Sequence, residues 1–431
     1  MKLYQVNQVG MTAIHKLLRR DALQDNAQVD SIVQQIISRV KAEGDSALLA
    51  LGRQFDSAEL KQLEVPKSML EQAANEIPKD LRAALELAAG NIRRFHQQQL
   101  KTSWIDPQPG RITGQTVRPL KRVGLYVPGG TAAYPSTVLM IGIPAQVAGV
   151  EELILCTPAQ KNGMAPLNTL AAAHIAGVDR VFLVGGAQAV AAMAFGTDSI
   201  PMVDKIVGPG NSYVNVAKRL LWGVVDMDML AGPSEVCVLA DSGANPEFAA
   251  LDLLTQVEHD PECAGYLITP SMELASAVQN SIHKLVETMP RSAILTKALE
   301  DHGAIIVCES MTQACELADV CAPEHLALMV RDPFTLLGRI HNAGAILMGD
   351  YSPQTLGDYL AGPSHTLPTS GTARFASPLH VDTFLKKSSY IYYSSEALKE
   401  VANTLTTLAR AEGFETHAAA VEARTAALEN D

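Results

Sequence analysis

Gln256 and His259 stand three residues apart in the run Leu253-Leu254-Thr255-Gln256-Val257-Glu258-His259-Asp260-Pro261-Glu262-Cys263, an amide oxygen beside an imidazole. Upstream, Asn245-Pro246-Glu247 reads as a helix opening: a capping residue, Pro in the first turn, an acid near the positive dipole end. Phe248, Leu251, Leu254 and Val257 supply an apolar stripe at helical spacing, and Pro261 predicts a stop near Asp260. Asp252, Gln256 and His259 then share one helix face. Alone, such a pair is also the composition of an ordinary solvated face, because a metal site needs about four convergent ligands.

Other positions could complete a site. Pro323-Glu324-His325 sits in a loop before the strand-like Leu326–Val330, and adjacent Glu and His offer two bases. A solvated turn pair is the plain alternative. Gly357-Asp358-Tyr359, followed by Ser364-His365, offers a carboxylate that could close a metal site or simply cap a turn. Glu412-Gly413-Phe414-Glu415-Thr416-His417 falls at a break between two late helices, where capping is the ordinary role of a His. Glycine turns follow strand-like runs at Pro128-Gly129-Gly130, Gly185-Gly186-Ala187-Gln188 and Gly208-Pro209-Gly210-Asn211. None reads GxGxxG, and tight strand–helix connections would explain each. Their clustering favours a nucleotide site at the carboxyl ends of the strands. No HExxH, GxSxG or Walker A pattern occurs, which removes the common zinc proteases, serine hydrolases and P-loop enzymes.

The elements that must position these residues alternate. Val123–Val127, Glu152–Cys156, Val181–Val184, Lys205–Val207 and Glu235–Ala240 are strand-like, with helix-like stretches between; a second set follows at Gly265–Thr269, Ala304–Val307, Ala327–Val330 and Ala345–Met348. Alternation predicts parallel sheets with right-handed crossovers. The fold class expected is α/β: two incomplete Rossmann-like domains with parallel-rich sheets, a small N-terminal arm (1–23) and a helical C-terminal appendage (378–431). Residues 24–121, mostly helical and ending in a strand–turn–strand about Pro107–Gly110, are expected to join 236–377 in the larger α/β domain, with 122–235 inserted as the other.

A chain of 431 residues accommodates two or three domains at roughly 150 residues each. With 47% apolar and 19% charged residues it can bury large cores. A net charge of -12 with no basic block argues against nucleic acid, and the N-terminus has neither an apolar signal core nor is there a membrane-length apolar run later. Six cysteines without CxxC spacing read as reduced core residues of a cytoplasmic protein.

The chain resembles the histidinol dehydrogenase family over nearly its whole length. The motifs that carry the likeness are Arg122–Gly130, Val184–Ala189, Gly208–Asn211, Ala231–Val236, Gln256–His259, Pro323–Leu326, Gly357–Tyr359 and the late Glu412…His417; residues 1–120 carry little motif. The resemblance implies a zinc-requiring, NAD-dependent oxidation of L-histidinol to L-histidine through the aldehyde. It implies zinc ligands at Gln256, His259, Asp358 and His417 and a catalytic pair at Glu324 and His325. Substrate contacts are implied at Ser234, His365 and Glu412, with the ligands and His325 also facing substrate, and NAD contacts at Tyr126, Gln188 and Asn211. It also implies a homodimer that exchanges C-terminal helices. The same residues would suit a zinc/NAD oxidation of another primary alcohol, and a zinc- or nucleotide-binding regulatory protein is the non-enzyme alternative, against which the intact Glu324 and His325 speak.

Overall fold

Two parallel sheets, each buried on both faces, hold most of the strands. The computed structural model describes residues 1–20, 27–129 and 133–428. Its first sheet is ordered Glu64–Val65, Arg180–Leu183, Glu152–Thr157, Arg122–Tyr126, Lys205–Val207, Asp226–Met227. Only the Glu64–Val65 pairing is antiparallel. The chain begins this parallel set at Arg122–Tyr126, builds outward on one side, then returns to build on the other. Crossovers therefore part at the end of that strand and leave a crevice at the carboxyl ends.

The second sheet is ordered Lys2–Gln5, Ala304–Val307, Ala264–Thr269, Glu235–Ala240, His325–Met329, Ala345–Met348, parallel throughout. Val236, Val238 and Ala240 face a core with the helices Pro246–Val257, Met272–Thr288 and Ser292–Asp301. Cys237 and Leu239 face a separate core with Met11–Leu18 and Met311–Cys321. Burial on both faces explains why these strands read as continuous apolar runs without alternation.

Several expectations are corrected here. Lys2–Gln5 of the expected arm is an edge strand paired with Ala304–Val307; positions 21–23 of that arm, and Gly130, lie outside the described residues. Residues 27–97, expected with the later half, cover the first sheet instead. Ala27–Glu43 packs on Gly186–Phe195 and Ser212–Leu221, Lys67–Glu76 on Leu167–Ala176, and Lys79–Gln97 on Pro135–Ala148. The physical reason is that Pro135–Ala148, Leu167–Ala176 and Gly186–Phe195 are buried on nearly every side, so one sheet face cannot cover them. The helix opened by Asn245 ends at Val257, short of Asp260, and Phe248 is exposed. All six cysteines are buried free thiols. No helix among the described residues is long and apolar enough to cross a membrane.

The chain divides into two compact units. The first, 1–99 and 120–384, contains both parallel sheets. The second, 100–119 and 385–428, holds an antiparallel sheet ordered Leu385–Tyr393, Arg111–Pro119, Trp104–Gln108, with helices Ser395–Ala411 and Glu415–Ala427. The C-terminal appendage is thus helical with a strand in front of it. Leu385–Tyr393 escapes sequence reading because nearly every residue along it is exposed, so no inside–outside alternation marks it.

Candidate active site

Glu324 and His325 enter the second sheet at the start of the strand His325–Met329, after a tight exit from Met311–Cys321. Ala322 closes that helix in a left-handed conformation (φ 45°), and Pro323 prevents its continuation. Both side chains are buried. His325 Nε2 faces Glu324 Oε1 at 3.8 Å and Asp358 Oδ1 at 4.0 Å, while its Nδ1 is buried without a hydrogen-bond partner. Glu324 Oε2 accepts the backbone N–H of Glu235 at 3.1 Å, and the Ser234 hydroxyl donates to the same carboxylate. Burial pushes Glu324 up to about 8, helped by the neighbouring acids Glu235 and Asp358. Burial pulls His325 down to about 3, and the imidazoles of His365 and His259 oppose a further positive charge. Near neutral pH the pair is an uncharged carboxylic acid beside an uncharged imidazole.

The helix Pro246–Val257 brings the next residues. Asn245 caps it, accepting from Glu247 N at 2.9 Å and Phe248 N at 3.3 Å, with Pro246 in the first turn. Running opposite to the strands, it delivers its carboxyl end to their amino ends, where Glu324 and His325 lie. Gln256 Nε2 donates to Asp358 Oδ2 at 3.1 Å. His259 stands one turn on, its N–H on Gln256 O, and is exposed. Asp358 is pushed up to about 6, mainly by burial and further by Asp252, against the Gln256 hydrogen bond. His365 Nδ1 lies 2.8 Å from Asp358 O, which can only accept, so Nδ1 carries the hydrogen and Nε2 takes the Thr137 hydroxyl at 3.2 Å.

A cavity of about 1100 Å³ opens at the carboxyl ends of the first sheet. Tyr126, Gln188 and Asn211 all line it, together with Gly129, Gly186 and Asp56. The Tyr126 hydroxyl accepts the Gly186 N–H at 3.0 Å, and burial pushes this phenol up to about 12. Asn211 caps Ser212–Leu221, accepting from Val214 N at 3.1 Å. A Cβ on Gly208 (φ +119°) would collide with the Tyr126 carbonyl, so only glycine allows this turn. The turn is gripped from beneath by Lys218, fully buried, whose Nζ donates to Gly208 O and pairs with Asp228 Oδ1, each at 2.6 Å.

The first unit therefore brings Ser234, Gln256, His259, Glu324, His325, Asp358 and His365 to one region, and Tyr126, Gln188 and Asn211 to one cavity. Glu412 and His417 are exposed residues of the second unit, at the break between its two helices. Among the described residues no three His, Cys, Asp or Glu side chains converge as a complete metal cage. Sequence reading passed over Glu235, Thr137 and Asp56. Glu235 lies inside the quoted motif Ala231–Val236 but reads as a strand residue. Thr137 and Asp56 come from helices with no spacing signal that ties them to a site.

A family model described as histidinol dehydrogenase matches residues 19–425. A histidinol dehydrogenase of Aquifex aeolicus is 51% identical over 399 residues, 92% of each chain. That of Clostridium acetobutylicum is 48% identical over 401 residues, 93% of each chain. The crystal structure of histidinol dehydrogenase from Elizabethkingia anophelis is 34% identical and superposes with a TM-score of 0.94, covering 100% of this chain and 99% of that one. The two parallel sheets, the apposed Glu324 and His325 and the likeness along the whole length lead to one conclusion: the chain belongs to the histidinol dehydrogenase family, oxidoreductases of histidine biosynthesis.

Proposed function

We propose that this enzyme oxidises L-histidinol to L-histidine in two hydride transfers through L-histidinal, with NAD as acceptor and one zinc ion per subunit. The observation that carries the reading is the buried, uncharged Glu324–His325 pair beside the carboxylate of Asp358. Each two-electron step sends a hydride to one NAD, and water supplies the second carboxylate oxygen. His325, neutral because its burial disfavours charge, takes the alcohol proton as the hydride leaves. Glu324, once ionised, takes a proton from the water that adds to the aldehyde.

The donor set suits a divalent cation. Gln256, His259 and Asp358 offer an amide oxygen, an imidazole nitrogen and a carboxylate, and Asp358, half-buried near His325 and Asp252, has no Lys or Arg partner among the described residues. The bound metal would supply a positive template for the nitrogens of the substrate. Ser234 and His365 stand where they can contact that substrate, and the partner subunit's Glu412 and the partner subunit's His417 would add further contacts. We place His417 as the fourth ligand, from the partner of a homodimer that exchanges C-terminal helices. Exposed Trp104, Ile105, Ile391 and Leu408 of the second unit support burial against another chain. Six reduced, buried thiols support a cytoplasmic location. The test is product stoichiometry: two NADH per histidinol consumed, in zinc-loaded enzyme. One NADH with accumulating aldehyde would overturn the four-electron reading.

A further inference from the structure

We infer that Asp56 reads the ribose of the dinucleotide remote from the reacting carbon, accepting its hydroxyls and selecting against a 2′-phosphate. The inference rests on the reading of the first-sheet cavity as the dinucleotide site. Asp56 closes the helix Asp45–Phe55, its N–H on Gly52 O at 2.9 Å, and lines that cavity. Its carboxylate lies against the turn Gly185–Gly186. A Cβ built on Gly185 would sit 3.2 and 3.3 Å from its two oxygens. The Gly185 amide faces one side of this carboxylate, but among the described residues Asp56 Oδ2 is buried and accepts no hydrogen bond, and no cation pairs with the side chain. A buried acceptor left open in a ligand cavity needs a donor from the ligand.

The chemistry of that donor follows from what surrounds it. A dinucleotide pyrophosphate normally lands on the amides at such a helix start. Here the Gly186 amide is taken by the Tyr126 hydroxyl, and the Asp56 carboxylate would repel a phosphate. A neutral diol is what fits: hydroxyl donors to an ionised carboxylate, strong hydrogen bonds in a sheltered place. Ile32, Ile36 and Phe55 line the same cavity and offer an apolar wall for the adjoining base.

Sheet order assigns the end of the dinucleotide. Asp56 lies against Gly185, in the turn that follows Arg180–Leu183, and Pro158, in the turn that follows Glu152–Thr157, packs on that same glycine. Asn211 follows Lys205–Val207, beyond Arg122–Tyr126. Neighbouring strands lie about 4.8 Å apart, so roughly 10 Å or more separates the two positions, a span suited to the two riboses of one dinucleotide. The Asn211 side leads to the chemistry: Asn215 Nδ2 donates to Ala231 O at 2.6 Å, and three residues later Ser234 meets Glu324. Asp56 is therefore at the adenosine end. A 2′-phosphate there would face the carboxylate, while Lys161, which lines the same cavity, would be left to attract it once that carboxylate is removed.

The experiment is equilibrium binding by titration calorimetry on the full chain, with NAD, NADP, ADP-ribose and ADP-ribose lacking the adenosine 2′-hydroxyl, repeated for Asp56→Ser and Asp56→Asn. Wild type should prefer NAD to NADP and lose roughly tenfold in affinity for the deoxy ligand. Asp56→Ser should bind NAD roughly 10- to 100-fold more weakly, ignore the 2′-hydroxyl and lose the preference against NADP. Steady-state kinetics should put the change in KM for NAD rather than in kcat. If wild type binds the deoxy ligand as well as ADP-ribose, the inference is wrong, whether or not the variants fold. Gln188→Ala and Asn211→Ala separate the two levels: if they weaken NAD binding and Asp56→Ser does not, the cavity stands and Asp56 falls. If none of the three does, the cavity reading falls with it.

Discussion

The backbone N–H of Glu235 donates to the carboxylate of Glu324 at 3.1 Å, while Glu235 turns its own buried carboxylate the other way, to the N–H of Ser370 at 3.0 Å and to Arg20 at 3.6 Å. Two acids at the amino ends of adjacent parallel strands thus lie close together, and the Arg20 guanidinium sits beside Glu235. Burial pushes Glu235 up to about 7, with Arg20 and the amides of Ser370 and Gly371 opposing, and pushes Glu324 up to about 8.

Both folded values lie above those of the unfolded chain, so folding takes up protons between about pH 4.5 and 8. Stability from these groups is complete below that window and is lost as pH rises through it. Glu324→Gln should raise the melting temperature by a few degrees at pH 8.5 and hardly at all at pH 5. A scan of melting temperature against pH for both proteins checks this, and equal shifts at both ends would refute it.

The same substitution separates the two oxidations. Glu324→Gln should spare the first hydride transfer and slow aldehyde oxidation by ~10²–10⁴, because an amide cannot take a proton from water. His325→Asn should slow both by a similar order. Single-turnover kinetics begun from histidinol and from histidinal read the difference.

Metal retention is expected to depend on Asp358 more than on Gln256. The carboxylate brings the negative charge, and the amide is a weaker ligand. Asp358→Asn should lose zinc on dialysis against a mild chelator, with activity restored by excess zinc; Gln256→Ala should hold zinc longer. Atomic absorption on the dialysed proteins gives the order, and full retention by Asp358→Asn would contradict the site.

Chain exchange has its own test. Mixed dimers of His417→Ala and His259→Ala chains, isolated by two tags, should regain about half the wild-type activity if helices cross, since one site is then complete and sites are taken as independent. If the helices do not cross, each site lacks a ligand and nothing returns.

Lys218→Met should cost ~3–5 kcal/mol, because it leaves the buried Asp228 carboxylate without its countercharge, held only by the N–H groups of Gly208 and Met229. It should also raise KM for NAD more than it lowers kcat, since the Gly208 turn loses its grip. Urea unfolding and steady-state kinetics on one preparation measure both.

The two sheets were legible because strands buried on both faces leave apolar runs that turns punctuate, and each run named in 122–240 and 264–348 is a strand. The helix opened by Asn245 was equally legible, since capping and Pro246 are local signals. What covers what was not. Residues 27–97 have ordinary amphipathic patterns that do not say which sheet they meet, and Leu385–Tyr393 lacks a buried face to mark it. At the site, resemblance named the chemistry-bearing residues. Glu235, Thr137 and Asp56 stayed hidden because their partners, Glu324, His365 and Gly185, are distant in sequence and joined only by folding.

Six buried thiols turn the molecule into its own clock. Burial pushes Cys156 up to about 12 and Cys263 and Cys308 up to about 11, so the reactive thiolate is scarce and an alkylating reagent reaches it when the surrounding structure opens. Cys156 belongs to the first sheet, whereas Cys237, Cys263, Cys308, Cys315 and Cys321 belong to the cores of the second. Mass spectrometry of alkylated peptides over time would therefore time the loosening of each half separately, without a single engineered label, and show which half a bound dinucleotide holds shut.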